Sequence, residues 1–155
     1  MTRSTAGDCH WLGIALLTAG LVALALWSFS PSTAAEAGRA PRVVYHLDDS
    51  ARAIAAIRNL TNHLKAAPGV KIVVVALGPG VDFLLRDAKD ERGNPYEPMI
   101  DDLVMAGVEF RVCNNTLTAR HIDPARVHPD ATLVESGAAE ITRLQYAEGY
   151  AYFKP

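Results

Sequence analysis

Lys71-Ile72-Val73-Val74-Val75-Ala76-Leu77-Gly78-Pro79-Gly80 decides the fold. A nearly continuous apolar run, largely β-branched, suits a strand covered on both faces, the situation of a central strand in a parallel sheet. A strand with one wet face would alternate instead. Gly78-Pro79-Gly80 closes the run as a tight turn, and Val81 to Arg86 has the spacing of a short helix. Upstream, Arg42-Val43-Val44-Tyr45-His46 is a second strand-length run, followed by Asp48-Asp49-Ser50, residues that cap helices. Ala53, Ile57, Leu60 and Leu64 then recur along one helical face until Pro68-Gly69 stops it.

Downstream, Asp87 to Tyr96 is charged and contains Gly and Pro, the composition of a surface loop. Pro98 to Met105 resumes helical spacing and ends at Gly107. Val108 to Cys113 is a third strand, and the polar stretch Asn114 to Asp130 holds a short helical turn. Ala131 to Val134 is a fourth strand, Ser136 caps a helix to about Glu148, and Tyr150 to Phe153 is a fifth strand. Strands alternating with helices predict βαβ units, hence an α/β protein with helices on both faces of a mostly parallel sheet.

The whole chain has 155 residues, half of them hydrophobic, with a formal net charge of −2. Such a composition excludes a disordered chain, and the charge offers no field for nucleic acid. The first 37 residues form a separate object. Trp11 to Phe29 carries no charge, Arg3 precedes it, and Ser28-Phe29-Ser30-Pro31-Ser32-Thr33 follows it. Ala35-Glu36-Ala37 supplies the small residues of a signal-peptide cleavage site. Residues 1–37 therefore read either as a cleaved signal peptide or as a retained membrane anchor, residues 38–41 as a linker, and 42–155 as the domain. Both readings predict an exported, periplasmic domain that touches the membrane only through this segment.

Removing Arg3, Asp8 and Glu36 leaves 14 basic against 15 acidic side chains in the exported part, so no pull toward anionic lipid is expected. Cys9 precedes the apolar run, which leaves Cys113 as the one exported thiol and rules out a dithiol cycle within one chain.

In parallel sheets ligands sit beyond the carboxyl ends of the strands. That rule gathers His46-Leu47-Asp48, Gly78-Pro79-Gly80, Cys113-Asn114-Asn115-Thr116 and Glu135-Ser136-Gly137. The candidate nucleophile is Cys113; the candidate binding residues are Arg111, Asn114, Asn115, Thr116, Gly78, Gly80 and Ser136. Cys113 shares a strand face with Glu109 and Arg111, and amides of Asn-Asn-Thr opening a helical turn would stabilise a thiolate, the nucleophilic form. Glu109 opposes this. The plainer reading is a small buried hydrophobe at a strand end.

Gly78-Pro79-Gly80 lacks the third glycine of a dinucleotide loop and the Gly-Lys-Ser/Thr of a nucleotide loop, so no cofactor is expected. His63, four residues from Asn59 on the polar side of its helix, is a surface residue or a proton carrier for a neighbouring chain's thiol. His121 and His128 lie seven apart across a Pro-containing loop, which is not ligand spacing, and no metal site is expected. No hydrolase motif is present.

Several segments resemble the DsrE/DsrF-like proteins, and more narrowly their small, single-domain, often exported branch: Arg58-Asn59-Leu60-Thr61-Asn62-His63-Leu64, Gly78-Pro79-Gly80-Val81-Asp82-Phe83-Leu84, Gly107 to Leu117, and Gly149-Tyr150-Ala151-Tyr152-Phe153-Lys154-Pro155. The resemblance spans Arg42–Pro155. It implies a three-layer α/β/α domain of the flavodoxin-like class with a five-stranded sheet, and homo-oligomers, trimers or hexamers. It also implies a sulfurtransferase-like carrier, in which a cysteine after the third strand, here Cys113, holds sulfur as a persulfide between a donor and an acceptor protein. Arg111 would then draw in an anionic donor. A non-catalytic ligand-binding or assembly protein with Cys113 merely packed is the alternative. Independently of family, the short aromatic segment Tyr150 to Phe153 makes an edge strand that another subunit would cover.

Overall fold

The computed structural model describes residues 40–155; the expected leader lies outside these described residues. Five strands, β1 (Arg42–Leu47), β2 (Lys71–Ala76), β3 (Glu109–Cys113), β4 (Ala131–Val134) and β5 (Ala151–Phe153), form one sheet in the order β4-β3-β2-β1-β5. Every pairing is parallel. β2 lies at the centre, and after Lys71 all of its residues are buried, as its unbroken apolar run predicts.

Four helices connect the strands: α1 (Ala53–Ala66), α2 (Glu97–Met105), α3 (Asn114–Ala119) and α4 (Gly137–Glu148). A 3-10 turn, Ser50–Arg52, leads into α1 and is capped by the Asp49 carboxylate, which accepts from the Ala51 N–H. The helix expected over Val81 to Arg86 is instead a 3-10 helix over Gly78–Leu84, with Pro79 in its first turn. It begins earlier because proline's fixed φ suits a helix start and Gly78 takes up a left-handed φ of 56°. The helical turn expected after Cys113 is α3.

Strand order dictates which face each helix covers. From β1 to β4 the chain steps steadily one way, so right-handed crossovers put α1, α2 and α3 on one face. The return from β4 to β5 runs the other way and puts α4 alone on the opposite face. The core divides accordingly. On the first face Tyr45, Leu47, Ile72, Val74, Phe110 and Val112 pack with Leu60, Phe83, Leu84, Ile100, Leu103 and Leu117. On the second, Val44, Val73 and Val75 pack with Ile141, Leu144 and Tyr150. The architecture is three-layered, with a single helix as its third layer. Among the described residues no helix is long and apolar enough to cross a membrane.

Candidate functional site

The crossover pattern singles out one point on the sheet. Leaving their carboxyl ends, β3 runs into α3 on one face and β4 into α4 on the other. Adjacent strands whose connections diverge open a crevice between them, and Cys113, paired in register with Val134, is the last residue of β3 at that crevice. It sits immediately before the first turn of α3 and against the first residue of α4. A Cβ added at Gly137 would lie 3.2 Å from the Cys113 Cβ and 3.1 Å from Leu77. Glycine lets the start of α4 approach the thiol this closely.

The first amides of a helix have no partners within the helix, and here two helix starts present them to one sulfur. Burial pushes the Cys113 thiol up. The Thr116 hydroxyl and the N–H groups of Gly137, Thr116 and Asn115 outweigh that, and the net effect holds the thiol below its ordinary value. Thr116 is oriented for this task, because its Oγ1 accepts the Gly78 N–H at 3.0 Å. The hydroxyl's own proton is thereby left for the sulfur. The Asn115 N–H also donates to the Glu135 carbonyl at 3.1 Å, stitching the two divergent loops together.

Cys113 is 6% exposed, more enclosed than a thiol presented to water at the sheet rim. Its surroundings are nonetheless polar where the charge would form, and they differ from the hydrocarbon packing of an inert cysteine.

The other predicted residues divide by role. Thr116 and the Asn115 amide support the thiol directly. Asn114 is half-buried and the Asn115 side chain is exposed on the first turn of α3. Ser136 is a helix cap, its Oγ accepting from the Ala139 N–H. Gly78 and Gly80 shape the loop around the site. A Cβ at Gly80 would lie 2.1 Å from the Leu47 carbonyl oxygen, so the 3-10 helix touches the end of β1 at backbone distance.

Arg111 is placed for a different purpose than drawing in a donor. Its guanidinium is bonded to Glu140 on α4 and, at 2.8 Å, to Glu109, and the side chain is 17% exposed. Glu140 also holds Arg143 at 2.9 Å, and the two carboxylates bracketing the Arg111 guanidinium make Arg111 a strut between β3 and α4. The opposition expected from Glu109 is neutralised by the same pairing. His63 lies on the other face of the sheet, where its Nδ1 meets the Tyr45 hydroxyl at 2.9 Å.

Arg120 and Asp82 were not singled out from the sequence. Arg120 donates to the Gly78 carbonyl at 3.2 Å and to Asp82 at 3.0 Å, bracing the loop that orients Thr116. An Arg directly after a six-residue helix carries no spacing signal that could have marked it. Gly137 belongs to the strand-end group Glu135-Ser136-Gly137 read from the sequence, but its role against the thiol carries no signal there.

A parallel sheet with a thiol at its topological switch, between two helix starts, defines a class of small α/β domains with a cysteine at a strand end. The chain belongs to the DsrE/DsrF-like family, whose pattern matches residues 34–155. Among solved structures it is similar to a protein of unknown function from Methanobacterium thermoautotrophicum, at 36% identity and a TM-score of 0.65, covering 74% of this chain and 99% of that one. No curated protein matches the chain.

Proposed function

We propose that the protein is an exported sulfur carrier in which Cys113 holds sulfane sulfur as a persulfide. What carries this reading is the position of Cys113 between the starts of α3 and α4, with Gly137 close against it and Thr116 held by the Gly78 N–H at 3.0 Å; the hydroxyl and neighbouring N–H groups hold the thiol below its ordinary value. Membership of the DsrE/DsrF-like family supports it. The Cys113 thiolate attacks the terminal sulfane sulfur of an anionic polysulfide. The new S–S bond forms as the donor's own S–S bond breaks, and that electron pair leaves with the shortened polysulfide. A thiol acceptor later takes the outer sulfur and returns Cys113 as thiolate. No metal or cofactor is needed. The close cover over Cys113 favours small inorganic donors over bulky ones.

Export rests on the leader described from the sequence. Assembly as a homo-oligomer is supported by the β5 edge, where Tyr152 and Phe153 are 45% and 41% exposed on opposite sides of a three-residue strand.

The 6% exposure of Cys113 favours a second reading, a binding or assembly protein in which Cys113 only packs. Polysulfide treatment of the native chain followed by intact mass separates the two. The carrier gains one sulfur per chain, reversible by reductant and lost in Cys113→Ser. An unchanged mass in the native protein leaves the packing reading.

A further inference from the structure

At the far end of β4 from Cys113, three side chains from two separate segments meet. Asp101 projects from α2, while His128 and Asp130 flank Pro129 in the segment leading into β4. One ligand atom from each lies within 4.8 Å of the others. His128 is 4% exposed, the one polar side chain among the buried described residues, and its backbone is pinned on both sides: its N–H donates to the Leu84 carbonyl at 2.8 Å and its carbonyl accepts from Ala131 at 3.0 Å. The imidazole is therefore held in place by the chain.

Its Nε2 is enclosed and makes no hydrogen bond. The Asp101 Oδ1 is 3.2 Å away, but the ring's N–H direction does not meet it. Buried polar atoms are almost always paired, and an orphan of this kind asks for an explanation such as an ion. The separation supplies one. With metal–ligand bonds of about 2.1 Å, a nitrogen and an oxygen this far apart subtend roughly 100° at a shared ion, between the octahedral and tetrahedral angles. The Asp130 carboxylate lies 3.9 Å from Nδ1 on the other side of the ring. Neither Asp101 nor Asp130 is paired with a Lys or Arg among the described residues.

We propose that Asp101, His128 and Asp130 form a site for one divalent transition-metal ion of the zinc type, separate from the Cys113 site. Nε2 of His128 and the Asp101 carboxylate coordinate the ion. Without the ion, Nδ1 accepts the Asp130 N–H at 3.3 Å and the ring proton sits on Nε2. Binding moves that proton to Nδ1, which gives up the bond from the Asp130 N–H; a small turn of the Asp130 carboxylate, 3.9 Å away, then lets it accept from Nδ1–H, the carboxylate–histidine–metal arrangement. The imidazole nitrogen selects zinc-like ions over the hard cations magnesium and calcium. Both carboxylates are about half-exposed, at 50% and 54%, which gives the ion its path from solvent. The bound ion ties α2 to the entrance of β4 and leaves the thiol untouched.

The test uses the full, untagged chain carrying Cys9→Ser and Cys113→Ser, so that neither thiol can bind zinc. Calorimetric titration with zinc chloride should show one saturable site per chain, with magnesium and calcium giving no saturable heat. Zinc should also shift the His128 ring nitrogen resonances, with the proton appearing on Nδ1. Asp101→Asn, at a half-exposed position that leaves folding intact, should weaken zinc by more than about tenfold, and Asp130→Asn should weaken it by a similar factor or less. Absence of saturable zinc binding overturns the proposal. So does binding that Asp101→Asn leaves unchanged, or ring resonances that respond to pH alone. None of these outcomes bears on persulfide formation, which is read separately at Cys113.

Discussion

Replacing Thr116 by Val removes the hydroxyl from under Cys113 while keeping the side chain's shape. The hydroxyl accepts the Gly78 N–H and donates to the sulfur, so the valine variant loses one of four donors to the thiolate and orphans a partly buried amide. A hydrogen bond to a charged group contributes about 1.5–3 kcal/mol. At about 1.4 kcal/mol per unit, that loss should raise the Cys113 pKa by roughly 1–2 units. The orphaned Gly78 N–H should lower global stability by about 1–3 kcal/mol as well. The pH dependence of alkylation by a small haloacetamide measures the first effect, and urea unfolding the second. Thr116→Ser keeps the hydroxyl and should restore the wild-type midpoint. An alkylation midpoint that stays put in Thr116→Val refutes the assignment of Thr116 as the group that positions a proton on the sulfur.

Other substitutions probe the surrounding frame. Gly80→Ala forces a Cβ to 2.1 Å from the Leu47 carbonyl, a backbone clash that should cost more than about 4 kcal/mol and abolish soluble expression. Arg111→Met removes the tie between β3 and α4 while Arg143 stays on Glu140 at 2.9 Å, and should destabilise the domain by about 1 kcal/mol in urea melts, with the rate of polysulfide loading per folded chain unchanged. Ser136→Ala should cost about 1 kcal/mol through the lost α4 cap.

Cys113→Ser separates the charge from the packing. A thiol whose folded pKa is depressed contributes stability that is fully present above the unfolded value, about 8.5, and is lost as pH falls through the folded value. The stability gap between wild type and Cys113→Ser should therefore widen as pH rises across that window; a gap independent of pH would contradict the depressed pKa.

The strands were legible because β-branched runs bounded by Gly, Pro and capping residues leave little choice, and Ser136 announced α4 as plainly. The location of Cys113 followed from the parallel sheet alone. What the sequence withheld depends on strand order. Only the arrangement β4-β3-β2-β1-β5 makes β3 and β4 neighbours with diverging exits, and only that brings the Gly137 amide to the thiol. The same arrangement carries Glu140 across to Arg111, turning an expected anion receptor into a strut. The approach of Asp101 to 3.2 Å from the His128 Nε2 was also beyond reach, since Asp101 comes from a separate helix, where no local period could signal it. The enclosure of the sulfur was equally invisible, since it depends on how closely a glycine lets one helix approach.

The central claim is that a nearly enclosed thiol is both easier to ionise than in the unfolded chain and reachable in the folded one. Native-state alkylation of Cys113 across pH, compared with the same chain unfolded in urea, tests both halves at once. The account predicts that the folded protein is modified, with a midpoint below that of the unfolded thiol. A folded protein that resists modification at every pH, and reacts only once unfolded, would contradict it.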